Sequence, residues 1–195
     1  MNVPARLLDG LKARYGEPQR HYHTWDHIGA LKRHYDDLSA HWRRPVPVLW
    51  ALYWHDAIYD PTASDNEELS AQLLEAEGSS VLAEDDLALG AQIIRATAKH
   101  EIPGGLDPDD ENDVALFLDI DLSILGAAAP VFDQYEADVR AEYAFVPDEA
   151  FRAGRLRILK SFSDRETIYF TAEGRQRWDQ QARANLGRSI AQLSA

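Results

Sequence analysis

The stretch Val48-Leu-Trp-Ala-Leu-Tyr-Trp54, opened by Pro45 and Pro47 and followed at once by His55-Asp56, decides how the rest of the chain is read. Seven apolar residues in a row belong in a core, and their number alone allows either a buried strand or a buried helix. The neighbouring segments are helical in pattern and none offers a strand to pair with, so helix is the reading adopted. Adjacent residues on a helix lie about 100° apart. An anchored apolar helix ending in His-Asp can therefore aim an imidazole and a carboxylate at one point.

The flanking segments repeat the helical pattern. Val3 to Tyr15 carries Leu7, Leu8 and Leu11 and stops at Gly16, expected as a left-handed cap. Thr24 is placed to cap a helix with Ile28, Leu31, Tyr35 and Leu38 at spacings of three and four. Asp65 starts a helix through Leu69, Leu73 and Leu74 to about Gly78, and Asp85 or Asp86 starts another through Leu87, Leu89, Ile93 and Ile94. The breakers in Glu101-Ile-Pro-Gly-Gly-Leu-Asp-Pro-Asp-Asp110 predict a loop, with a helix resuming over Glu111–Leu125 and ending at Gly126. Pro130 opens a further helix through Val131, Tyr135 and Val139. After Pro147, two more helices are expected at about Asp148–Phe162 and Gly174–Leu193. No internal repeat, low-complexity tract or long linker divides the 195 residues, so one all-α domain over residues 1–195 is expected.

Composition excludes some functions. The chain has no cysteine, which removes disulfides and thiolate metal sites. A net charge of −13 argues against a nucleic-acid or anionic-membrane surface, which needs clustered Lys and Arg. It leaves room for a small phosphate substrate, because a bound divalent cation can dominate the local field. No apolar run reaches the 18 or so residues of a membrane span. The opening MNVPARLLDG has neither the basic nor the apolar region of a secretory signal, so a cytoplasmic protein is expected.

Three segments concentrate candidate chemistry. In Tyr22-His23-Thr24-Trp25-Asp26-His27 the histidines are four apart, so a helix starting here would put both imidazoles on one side. Trp54-His55-Asp56 ends the apolar segment. In Phe117-Leu-Asp119-Ile-Asp121-Leu-Ser123 two carboxylates interrupt a core-like run, and a buried ionised carboxylate wants a cation. Each signal alone also has a plain structural reading, as a satisfied core histidine, a chance His-Asp pair or helix-capping aspartates.

Their order, a separated His, then His-Asp, then a distant Asp, resembles the H…HD…D signature of the HD superfamily of metal-dependent phosphohydrolases. Tyr22-His23-x-x-x-His27 is similar to the YHNxxHA motif of cyclic-nucleotide phosphodiesterases, a helical branch of that group. His55-Asp56 is similar to their HD pair, and Asp121-Leu-Ser123 to their ADLS segment. Asn66-Glu-Glu68-Leu-Ser-Ala71 is similar to their NxELA stretch, and Ala96-Thr-Ala-Lys99-His100 to their TDMxKH segment. As a whole, over roughly residues 15–190, the chain looks closer to the small bacterial predicted HD phosphohydrolases. The segments behind this are Glu17-Pro-Gln-Arg20-His-Tyr-His23, Asp65-Asn-Glu67, Leu118 to Gly126, Gly154 to Leu159 and Ala182 to Leu186. Two departures separate it from the phosphodiesterases: Ala57-Ile-Tyr-Asp60 replaces HPG after the HD pair, and no purine-clamping glutamine region is found.

The resemblance implies a single-domain helical bundle of the HD type and a site assembled from these residues. His27, His55, Asp56 and Asp121 would bind metal. Asp119 is the alternative to Asp121 or a partner behind it, since the ligand of the matching motif directly precedes Leu-Ser. His23 would protonate the leaving oxygen, Glu68 would orient or deprotonate the attacking water, and His100, Lys99, Arg20 and Arg155 would meet phosphate. The mixed nitrogen and oxygen donors suit Mn, Fe, Co, Ni or Zn, with Mg at a second, wetter position. The expected partner is a small phosphorylated substrate, such as a nucleotide. Two other functions remain open: a diiron oxygenase on the same scaffold, for which only His100 is available as an extra histidine between Asp56 and Asp121, and a non-catalytic metal- or nucleotide-binding module. Trp25, Tyr22, Tyr59 and Trp54 could wall the site or stack a base, with helix packing expected for most of them.

Overall fold

Among residues 3–195, which this computed structural model describes, every regular element is helical and there is no strand. The chain forms two compact units, up to Leu118 and from Asp119 onward, and the boundary falls inside one continuous helix. Among the described residues no single helix is long and apolar enough to cross a membrane.

The first unit holds α1 (Ala5–Tyr15), α2 (Trp25–Asp37), α3 (Pro45–Trp54), α4 (Asn66–Gly78), α5 (Glu84–Thr97) and the greater part of α6 (Pro108–Asp121). The deciding stretch is helical: α3 runs through its centre with Val48, Trp50, Ala51, Leu52 and Trp54 all at 0% exposure. A helix apolar on every side is stable only when surrounded, and α1, α2, α4 and α5 all pack against it. Trp50 and Trp54 stack with ring centres 4.9 Å apart, and the Trp54 indole N–H donates to Glu77 at 2.9 Å. At the other end, the buried Asp113 carboxylate accepts from the Arg43 N–H at 2.9 Å and the Arg44 N–H at 2.5 Å. It supplies from α6 the negative charge and the acceptors that the N-terminus of α3 lacks in its own sequence. The Arg44 guanidinium pairs with Asp86 at 2.7 Å and Asp110 at 3.0 Å, tying α3 to α5 and α6.

Three expectations about element ends are corrected. Helix α6 begins at Pro108 rather than Glu111, because the Asp107 carboxylate accepts from the N–H groups of Asp109 (3.0 Å) and Asp110 (2.9 Å), with proline in the first turn. Its regular part ends at Asp121, and Leu122–Gly126 continues as a tighter 3-10 turn. Gly16 has φ −97°, so it is no left-handed cap. Positive φ occurs instead at His100 (49°) and Gly105 (85°). His100 follows α5, and the Glu101 N–H reaches back to the Ala96 carbonyl at 3.4 Å, the closure of a left-handed helix cap in which glycine is the usual residue.

The second unit contains that 3-10 turn, α7 (Ala129–Glu142), α8 (Asp148–Ser163) and a last helix, α9, built of three consecutive pieces: Ala172–Gly174, a π turn over Arg175–Asp179, and Gln180–Ser194. Pro130 stands in the first turn of α7 as expected. Helix α9 starts two residues before Gly174 because the Thr171 hydroxyl accepts from the Gly174 N–H at 3.0 Å. The 3-10 turn lies so close to α9 that a Cβ on Gly126 would stand 2.5 Å from the Trp178 Cβ. Asn185 locks that approach, its side-chain amide donating to the carbonyls of Leu125 (2.9 Å) and Ala127 (2.8 Å).

Candidate metal centre

Helix α2 delivers His27 in its first turn, buried beside Ile28. The helix begins at Trp25, so His23 precedes it in a turn closed by the Thr24 N–H on the Tyr22 carbonyl at 2.7 Å. The expectation of both imidazoles on one helix is therefore corrected. The turn nevertheless brings the two rings to 6.3 Å, centre to centre. His55 closes α3, its N–H still bonded to the Ala51 carbonyl at 2.9 Å and its ring 1% exposed. The His55 Nδ1 lies 3.0 Å from the Leu52 carbonyl. A carbonyl only accepts, so Nδ1 carries a proton, and in the neutral ring Nε2 keeps its lone pair. Phe117 from α6 meets the ring edge-on at 5.9 Å.

The result is three ligand atoms facing one another. His27 Nε2 and His55 Nε2 are 3.2 Å apart, His55 Nε2 is 3.0 Å from Asp56 Oδ2, and His27 Nε2 is 3.8 Å from the same oxygen. Donors bonded at about 2.1 Å to one ion stand about 3.0 Å apart in an octahedron and about 3.4 Å apart in a tetrahedron. The 3.2 and 3.0 Å spacings fit that range, and the 3.8 Å one from His27 to Asp56 is wider. The donor chemistry fits as well: two imidazoles and a carboxylate, with the His55 proton held on the far nitrogen by a main-chain carbonyl, as metal-binding histidines generally have it. Burial pushes the Asp56 carboxyl up; when the imidazoles are protonated, the charge and hydrogen bond of His55, with the charges of His23 and His27 beyond, outweigh it and hold the group well below the usual carboxylate range.

Helix α6 runs unbroken from the first unit to its last residue, Asp121, four places beyond Phe117. Asp121 belongs to the second unit, two residues past Asp119.

No protein-family model, curated protein or solved structure matches this chain. The chemistry of the site rests on its own geometry.

Asp119, the alternative ligand, is fully buried and committed elsewhere. Its carboxylate accepts from the Phe170 N–H (2.6 Å), the Thr171 N–H (2.8 Å) and the Thr171 hydroxyl (2.5 Å). A Cβ on Gly174 would come within 2.3 Å of one of its oxygens. Asp119 thus fastens the start of α9 within the second unit.

The remaining candidates separate by what already holds them. Glu68 grips Arg95 with both oxygens, at 2.7 and 2.9 Å, and Arg95 also pairs with Glu75 at 2.8 Å. The hydrogen bonds from Arg95 and Gln72 lower the Glu68 carboxyl to about 2. Two neighbours in the same motif clamp the segment after Asp56: Asn66 exchanges hydrogen bonds with the main chain of Asp60 at 3.0 and 2.9 Å, and the Ser70 hydroxyl accepts from the Ile58 N–H at 3.0 Å. Arg20 is buried with its guanidinium on Glu17 and on three carbonyls. Arg155 is buried on Glu136 and over the Tyr135 ring in the second unit. Lys99 is exposed, and His100 is half-buried at its left-handed backbone position.

Of the aromatic candidates, Trp54 packs on Trp50, and Trp25 on Tyr15 and Tyr53. Tyr22 and Tyr59 border the cluster, Tyr22 at 4.9 Å from the His27 ring and Tyr59 at 4.3 Å from that of His23. Arg95, Asn66 and Ser70 are the participants that sequence reasoning missed. Arg95 meets Glu68 from the next helix, 27 residues on, and a pairing at that distance leaves no local signal in the sequence.

Proposed function

We propose that this chain is a metal-dependent phosphohydrolase of the HD type, acting in the cytoplasm on a small phosphate ester or anhydride, with nucleotides the first class to screen. The observation that carries the reading is the approach of two imidazole Nε2 atoms to 3.2 Å beside the Asp56 carboxylate. Facing lone pairs repel, and a shared proton would answer only one pair of them. A divalent cation answers both nitrogens and the carboxylate together.

His27, His55, Asp56 and Asp121 would hold the ion, with Mn, Fe, Co, Ni or Zn suited to the mixed donors and Mg to a wetter second position. When bound, such an ion supplies Lewis acidity toward a phosphoryl oxygen and brings the pKa of water from 15.7 to about 7. Hydrolysis breaks the bond between phosphorus and the leaving oxygen and forms one to the oxygen of water. His23, in the turn beside the cluster, gives the leaving oxygen its proton. A carboxyl with a pKa of about 2 is a poor proton acceptor at neutral pH, so the part of Glu68 narrows to orienting, together with Arg95. Arg20 and Arg155 are committed to carboxylates and carbonyls, and Lys99 and His100, by the motif they match, would meet phosphate.

The test is elemental analysis of dialysed protein beside His55→Ala and Asp56→Ala, followed by turnover of phosphomonoesters, phosphodiesters and nucleotides with the metal found. Near-stoichiometric metal in the wild type alone, with phosphate released, supports the reading. No metal after loading with Mn or Fe removes it. Stoichiometric metal with no turnover would leave a binding module.

A further inference from the structure

We propose that Arg20 is a positioning residue for the metal centre, holding the main chain at both segments that supply it. The proposal rests on the metal reading above. Arg20 is 5% exposed, and four donations from its guanidinium are accounted for. Nη1 donates to the His23 carbonyl at 3.1 Å and to the Asp56 carbonyl at 2.7 Å, Nη2 to the Ala57 carbonyl at 3.1 Å, and Nε to the Glu17 carboxylate at 3.1 Å. One planar group therefore ties the turn that enters α2, four residues before His27, to the two peptide units on either side of Ala57. Arg20 itself lies 36 residues before Asp56 in sequence.

The choice of carbonyls distinguishes this from a general staple. His55 is fixed by α3 and His27 by α2, but Asp56 and His23 lie just outside those helices, where the backbone has no helical hydrogen bonds to hold it. Arg20 fills that gap at both places. The guanidinium is itself held flat between two rings, with Tyr15 at 5.1 Å and Tyr59 at 5.3 Å, and the Tyr59 ring also lies against that of His23. Burying a cation is costly, and one carboxylate, itself 40% exposed, is its only charged partner named above. A planar fork of five N–H donors can span three carbonyls in different directions, whereas an ammonium on a flexible stem cannot. Ligand atoms must stand within a few tenths of an ångström of their places for full affinity, and groups behind the ligands typically set 10- to 100-fold in metal binding.

The experiment is Co2+ titration of the full chain, read by calorimetry and by the visible spectrum of the bound ion. The proteins compared are wild type, Arg20→Lys, Tyr59→Leu, Glu17→Gln and His55→Ala, each checked for fold by circular dichroism. Arg20→Lys is expected to bind Co2+ about 10- to 100-fold more weakly with an altered ligand-field spectrum. Glu17→Gln, which keeps the three carbonyl bonds, should stay within about threefold of wild type. A folded Arg20→Lys protein with wild-type affinity and spectrum, while His55→Ala loses binding, overturns the proposal and leaves the metal reading standing. Should Arg20→Lys fail to fold, Tyr59→Leu decides: weaker binding with a shifted spectrum supports the proposal, and wild-type behaviour overturns it. No Co2+ binding by the wild type itself removes the metal reading and this proposal with it.

Discussion

Asp56 and Asp119 are both acids set in apolar surroundings, and the chain treats them in opposite ways. Asp119 receives two main-chain N–H groups and a hydroxyl, all within 2.8 Å, and has its oxygens wrapped by the backbone at Gly174. Burial pushes its carboxyl up, and the hydrogen bonds from Thr171 and Phe170 oppose that without reversing it. Asp56 faces imidazoles instead, and despite burial its carboxyl is held low. Fixed neutral donors satisfy a carboxylate completely and leave nothing for a ligand to do. Imidazole nitrogens satisfy it only to the extent that something positive joins them. The difference marks Asp119 as a fastening and fits the proposed part of Asp56 in a metal site.

The sharpest way to break this comparison is to remove one member of each kind. Asp56→Ala or His55→Ala should weaken metal binding by about 10³-fold or more, roughly 4 kcal/mol at a factor of ten per 1.4 kcal/mol, and abolish turnover. Elemental analysis and calorimetry read this directly. His23→Ala should retain the metal while losing about 10²- to 10³-fold in turnover, the contribution of a positioned acid. Loss of metal together with activity would make His23 a ligand instead. Asp119→Asn should act on stability, costing about 3 kcal/mol in urea unfolding, because an amide nitrogen would be turned toward donors. Were Asp119→Asn to lose metal at unchanged stability, the roles of the two acids would have to be exchanged.

How much of this was legible in sequence follows the range of each interaction. Helix α3 was readable because seven consecutive apolar residues leave few alternatives, and His55-Asp56 at its end was readable with it. The start of α6 is also written locally, as Asp107-Pro108, but in sequence this pair is indistinguishable from the run of breakers it closes. The choice between Asp119 and Asp121 was not legible, since it depends on Phe170 and Thr171, some 50 residues further on. Arg20 misled for a physical reason. A guanidinium suits carbonyl oxygens as well as phosphate oxygens, and sequence does not say which acceptors will be near.

His100 offers a finer probe of the same division between fastening and site. Its φ of 49° is a position where glycine is the usual residue, and a side chain with a Cβ costs about 1 kcal/mol there. If His100 is kept for substrate, His100→Gly should leave stability equal or higher by up to about 1 kcal/mol while raising KM for a phosphate ester. A fall in stability with KM unchanged would make it a packing residue.

The smallest effect is expected at Glu68, and it tests whether an acid outside the metal cluster behaves as a plain ion pair. Its carboxyl is lowered from 4.5 to about 2 chiefly by the hydrogen bond from Arg95, then by Gln72. A depressed carboxyl in the folded state contributes stability that is fully present above the unfolded value and is lost as pH falls through the folded one. That places the window between about pH 4.5 and pH 2. Both partners are well exposed, and Arg95 keeps Glu75 as a second carboxylate, so the contribution is screened. Urea midpoints of wild type and Glu68→Gln should differ slightly at pH 7 and converge as the pH is lowered through this window. Midpoints that stay apart by the same amount at pH 2 would mean that Glu68 acts through packing and not through its charge, leaving Arg95 free to be held by Glu75 alone.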